Sequence, residues 1–280
     1  IALDAGRSGS ASKSDGTRGM GGGLSWRYVG ASVKGTSHIG SGLPCQDASL
    51  IVPALDRDGR TILVLTVSDG AGSAAHSEIG SRMACSAFTA TMLSHFESGG
   101  AVRDLTVNLI RQHVVDVVKT LETYAYTADL TLRDLACTFL AAVVGESEAV
   151  CFQIGDGAIV IADGEEYCPV FWPQSGDYAN TTYFLTDDAA LDALEVNRIE
   201  QAINEVSLFS DGLQMLALQY ATREAYQPFF RRLFDRLRME MAGESEALKS
   251  QLVEWLDSSV INSRTEDDKT LLLATRRLTP

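Results

Sequence analysis

Thr61-Ile62-Leu63-Val64-Leu65-Thr66-Val67 runs into Ser68-Asp69-Gly70-Ala71-Gly72-Ser73, and this junction decides how the chain is read. The first part is apolar and β-branched, the composition of a buried strand. It ends on an aspartate followed by glycine, which lets the chain turn at positive φ or lets the backbone approach a ligand closely. The same junction recurs twice. Ile154-Gly155-Asp156-Gly157 follows the apolar run Ala149–Ile154, and Ser210-Asp211-Gly212 follows Val206–Phe209. Two further segments carry aspartates in turn contexts, Leu43-Pro44-Cys45-Gln46-Asp47 and Glu266-Asp267-Asp268-Lys269-Thr270. A carboxylate at the end of a buried strand is costly unless it is paired or bound to metal. Carboxylates at strand ends, far apart in sequence, are how a fold gathers hard oxygen ligands around a divalent cation.

Order and flanking residues turn the pattern into a resemblance. Gln46-Asp47, then Asp69-Gly70-Ala71-Gly72-Ser73, then Gly155-Asp156-Gly157, Ser210-Asp211-Gly212 and Asp267-Asp268-Lys269-Thr270 resemble the metal-dependent serine/threonine phosphatases of the type 2C (PPM) family, in its compact bacterial branch. The likeness runs from about Trp26 to the C-terminus. It implies hydrolysis of phosphoserine and phosphothreonine by a hydroxide bridging two Mg²⁺ or Mn²⁺ ions. It implies that Asp69 bridges both cations and that the Gly70 carbonyl binds one of them. Asp211 and Asp267 then serve the first cation, Asp47 is a ligand or water-holder of the second, and Asp156 holds a weaker third. Asp268 stands where many relatives carry Asn, either as a supporting acceptor or, one register over, as the ligand itself. The implied partners are phosphorylated proteins, a cognate Ser/Thr kinase or its targets.

Periodicity outlines the elements. Strand patterns cover Trp26–Val33, Thr61–Val67, Cys137–Val144, Ala149–Ile154, Ala158–Ala162, Glu166–Phe171, Val206–Phe209 and Thr270–Thr275. Helical spacing predicts helices over Ser77–His95, Val102–Leu121, Arg223–Met241 and Ser245–Ser258. Strands, a helix pair, more strands, a second helix pair and a closing strand make an α+β protein with two antiparallel sheets and helices outside. The resemblance implies the αββα sandwich, with metals at one end of the sheets. Residues 1–23, rich in Gly and Ser, read as a flexible leader, and 24–280 as the phosphatase domain.

Composition narrows the class. The net charge of −14, from 23 basic and 37 acidic side chains, argues against a nucleic-acid binder. It also leaves local cations as the source of any attraction for a phosphorylated substrate. No apolar run approaches the roughly 18 residues that cross a bilayer, and the N-terminus is no signal peptide; the compartment is read as cytoplasm. The five cysteines, Cys45, Cys85, Cys137, Cys151 and Cys168, show no metal spacing and mostly sit in apolar runs as buried thiols.

The chain departs from the family pattern in two places. The lead Gly42-Leu43-Pro44-Cys45-Gln46 lacks the arginine that clamps the substrate phosphate, and Ala71 replaces the histidine that eukaryotic members carry after Asp-Gly. His38 is the nearest residue able to gain charge and is the candidate for phosphate binding or leaving-group protonation; His76 is a second candidate acid. Trp172, Pro173, Asp177 and Tyr178 stand where a small lid would form, but ordinary loop packing is the preferred reading of them. Two other readings use the same residues: a catalytically silent relative that binds a phosphorylated partner, and a hydrolase of small phosphate esters.

Overall fold

The computed structural model describes residues 24–163, 166–175 and 182–278. The expected leader, 1–23, and the lid residues Asp177 and Tyr178 lie outside these ranges. Two sheets form the centre. The first runs β2 (Ala48–Leu55), β3 (Thr61–Ser68), β4 (Phe139–Val144), β5 (Ala149–Ile154) and β8 (Glu195–Ile199). The second places β1 (Leu24–Val33) beside the C-terminal strand Lys269–Leu278, then β9 (Glu205–Phe209), β6 (Ala158–Asp163) and β7 (Glu166–Pro169). All these neighbours pair antiparallel; a two-residue strand, Gly243–Glu244, joins β1 in parallel at the outer edge.

Alternation of side chains explains the four layers. Along β4, Phe139, Ala141 and Val143 face the helices α2 (Ser77–Glu97) and α3 (Val107–Thr127), while Leu140, Ala142 and Val144 face the other sheet. Along the C-terminal strand, Leu272 and Ala274 enter the space between sheets, and Leu271 and Leu273 pack beneath the helices Gln227–Leu237 and Glu246–Leu256. Strands buried on both faces must be apolar throughout, which is why they read as continuous runs.

Several expected boundaries move. The helix predicted from Val102 begins at Val107, because Val102–Asp104 forms a separate 3₁₀ turn and the Thr106 hydroxyl caps the new start by accepting from the Leu109 N–H at 3.2 Å. The helix predicted over Arg223–Met241 is confined to Gln227–Leu237. Strands β2 and β8 escape the pattern: β2 contains Pro53 and β8 carries Glu195, Asn197 and Arg198, and both lie at sheet edges, where such residues are tolerated. Among the described residues no helix is long and apolar enough to cross a membrane.

Register brings the aspartates together. Ala48 pairs with Ser68, so Asp47 and Asp69 extend side by side from one end of the first sheet. Phe139 pairs with Ile154, which sets Asp156 at the same end. In the second sheet Leu271 pairs with Phe209, and Val33 with Lys269, so Asp211 and Asp267 emerge together beside the end of β1.

Candidate metal centre

Asp69, Gly70, Asp156, Asp211 and Asp267 line one cavity of about 250 Å³, together with His38, Gln46 and Thr138. Chain segments far apart in sequence therefore meet at one point. The loop after β3 is pinned from two sides: the Asp69 N–H donates to the Thr138 hydroxyl at 3.0 Å, and the Asp69 carbonyl accepts from the Thr138 N–H at 2.8 Å. Close approach, not positive φ, explains the glycine after each aspartate. At Gly212 a Cβ would stand 2.1 Å from the Asp268 carbonyl oxygen, so the 211–213 turn and the C-terminal segment touch only because that position lacks a side chain. The residue at positive φ is Gly155, one place before Asp156.

Asp47 sits behind the cavity wall. Its Oδ2 accepts from the Ser210 and Thr270 hydroxyls, each at 2.7 Å, while its buried Oδ1 has no partner among the described residues. Asp267 and Asp268 divide their work. Asp267 faces the cavity, its Oδ1 accepting from the Asp268 N–H at 2.8 Å. Asp268 is buried and accepts from the backbone N–H groups of Gly35 at 2.6 Å and Gln46 at 2.5 Å, tying three segments together. His38, in the short helix α1 (Thr36–Ser41), brings Nδ1 within 3.0 Å of Asp268 Oδ2, an ion-pair distance without hydrogen-bond alignment. His76 is the residue preceding α2, with its N–H given to the Asp134 carbonyl, and is not on the cavity wall.

The carboxylates raise one another's proton affinity. Burial, then the charges of Asp47 and Asp211, hold the Asp69 carboxyl well above its usual range. Burial pushes Asp47 up to about 7, with the Ser210 and Thr270 hydroxyls opposing and Asp268 and Asp211 adding. Asp156 is pushed up to about 7 by burial and Asp211, and Asp267 rises for the same two reasons. Among the described residues no three Asp, Glu, His or Cys side chains converge tightly enough to hold an ion between them. The carboxylates line a cradle and face one another across it. The donor set fits a divalent cation: its oxygens are hard, Asp211 Oδ1 and Gln46 Oε1 are buried with no hydrogen-bond partner for those atoms among the described residues, and the crowded negative charge needs a counter-charge. Burial pushes the Cys85, Cys137 and Cys151 thiols up to about 12, which makes these three poor nucleophiles.

The sequence profile of Protein phosphatase 2C matches residues 34–257, a span holding Asp47, Asp69, Asp156 and Asp211. The chain belongs to the protein phosphatase 2C family. It is a phosphoprotein phosphatase. Serine/threonine-protein phosphatase 3 of Escherichia coli strain K12 is 36% identical over 253 residues, 90% of this chain and 98% of that protein. Among solved structures, the catalytic domain of the phosphatase PstP, in complex with two manganese ions, superposes with a TM-score of 0.58 at 16% identity, covering 91% of this chain and 99% of that one. The Staphylococcus aureus phosphatase Stp1 gives 0.57 at 17%, covering 89% and 94%. These two share the αββα fold. Family membership supports the hydrolase and not the silent scaffold.

The phosphatase also uses residues that pattern reading left without a role. Gln46, Ser210 and Thr270 belong to the quoted motifs, and each now has a place: Gln46 on the wall, the two hydroxyls on Asp47. Thr138 carried no signal, because a threonine opening an apolar strand is ordinary β composition.

Proposed function

We propose that this phosphatase removes phosphate from serine and threonine side chains of proteins with two divalent cations, Mg²⁺ or Mn²⁺, held between its sheets. The observation that carries the reading is the gathering of Asp69, Asp156, Asp211 and Asp267 on one cavity, with buried oxygens left unpartnered. Asp69 would hold both cations and the Gly70 carbonyl one of them, Asp211 and Asp267 the first, Asp47 the second directly or through water, and Asp156 a weaker third. When bound, such a pair supplies a water of lowered pKa and neutralises phosphoryl oxygens. The chain's own residues do the positioning. Ser210 and Thr270 fix the Asp47 carboxylate by occupying Oδ2, which leaves Oδ1 as its available donor. Asp268 locks the 266–268 segment against Gly35 and Gln46, so Asp267 is presented from a rigid support. His38, on the rim, orients or protonates the phosphorylated side chain. The substrates are targets of a cytoplasmic Ser/Thr kinase, or the kinase itself.

The test is hydrolysis of a phosphoserine peptide and of p-nitrophenyl phosphate with Mn²⁺ and with EDTA, alongside metal counting by calorimetry. Activity is expected only with the cation, and Asp69→Ala should lose both activity and the two binding events. Two cations bound at unchanged affinity in Asp69→Ala would overturn the shared-ligand assignment.

A further inference from the structure

The two helix layers differ. Helices α2 and α3 pack closely against each other, whereas Gln227–Leu237 and Glu246–Leu256 each rest on the second sheet and leave a cleft of about 300 Å³ between them. Its floor reaches Val29 and Leu273, buried residues of the sheet itself. Its walls include Leu233, Leu252 and Trp255. An opening that reaches so deep into an apolar layer is space for a large apolar side chain.

The charge around it runs against the rest of the molecule. The chain carries 37 acidic and 23 basic side chains, yet no Asp or Glu lines this cleft, and its rim carries Arg232 and Arg236. Arg232 is exposed, and among the described residues Arg236 reaches only the Gln251 side-chain oxygen, at 3.4 Å. The nearby Arg238 is different, because Glu205 and Asp235 neutralise it. Two arginines with no carboxylate partner among the described residues, above an apolar slot on an acidic protein, complement a segment bearing one large apolar residue among acidic ones.

We infer that the cleft between these two helices is a docking site for an acidic segment of a partner protein, which inserts an apolar anchor over Leu252 and Trp255 and sets its carboxylates on Arg232 and Arg236. The site is separate from the carboxylate cavity, and the inference does not rest on the phosphatase reading.

The probe is a short labelled peptide with Phe and Leu one helical turn apart among Glu residues, titrated into the full chain by fluorescence anisotropy. Binding should weaken at least about tenfold in Arg232→Glu/Arg236→Glu, and by a similar factor when the peptide's Glu residues become Gln. It should be lost when Phe and Leu become Ala. Both arginines are exposed, so the double variant should melt like the parent and turn over p-nitrophenyl phosphate at the parent rate. Equal binding of the Gln peptide, unchanged binding by the double variant, or no binding of the acidic peptide overturns the inference. So does arginine-dependent pelleting with phosphatidylserine vesicles alone, which would make the cleft a membrane surface. Arginine-dependent self-association in sedimentation would make it a contact between copies and likewise overturn it.

Discussion

Asp267 and Asp268 are neighbours in sequence with opposite surroundings, one facing a cavity and one buried against backbone N–H groups. Their alanine variants should therefore fail differently. Asp267→Ala should lose affinity for one cation without losing stability in the metal-free protein. Asp268→Ala strands two buried donors and should cost roughly 2 to 4 kcal/mol of stability in denaturant unfolding. Equal melting curves for the two variants would refute this division. His38 makes a kinetic distinction possible. If it binds the phosphoryl group, His38→Ala raises KM for phosphopeptides and leaves cation affinity alone. If it is the acid, kcat falls for phosphoserine peptides and far less for p-nitrophenyl phosphate, whose leaving group needs no proton. We expect the KM effect, read from the two substrates in parallel.

Elements carry consequences that single residues do not. Between α2 and α3, His95 and His113 line one pocket, and burial, then the neighbouring His95, lower the proton affinity of His113 against a smaller opposing pull from Asp116. A histidine whose folded pKa is depressed binds fewer protons than it does unfolded. Its contribution is intact above the ordinary histidine range and is lost as pH falls through it, about 6.5 downward. The drop in melting temperature between pH 7.5 and 5.5 should therefore shrink in His113→Gln; an unchanged drop would place the acid sensitivity elsewhere. The strands teach a related point. Thr61–Ser68 was legible because both its faces are buried, whereas β2 was not, because an edge strand can contain Pro53 and exposed positions.

For the whole molecule the dominant fact is a cluster of buried carboxylates within a chain of net charge −14. Cations that bind the folded chain and not the unfolded one stabilise it by mass action. Mn²⁺ at a hundred times its dissociation constant should raise the melting temperature by about 5 to 10 °C, and EDTA should reverse the shift. Asp69→Asn removes one charge from the cluster, so without metal it should melt above the parent while responding less to Mn²⁺. An Mn²⁺ response equal to the parent's would separate Asp69 from the cation site.

By itself the sequence determined the four-layer class, the strands buried on both faces and the aspartates at their ends, because continuous apolar runs broken by Asp-Gly leave few other arrangements. It also limited the ligand to a hard cation, through the residue types alone. Tertiary structure decided what depends on distance. Strand register set Asp47 beside Asp69 and withdrew it behind the cavity wall under two hydroxyls. Backbone contacts assigned Asp268 to support and Asp267 to the cavity. The arginine-rimmed cleft was equally invisible, since Val29, Arg232, Trp255 and Leu273 meet only when helices and sheet are stacked. Local pattern records which face of an element is apolar; which residues of distant elements share a surface follows only from how the faces pack.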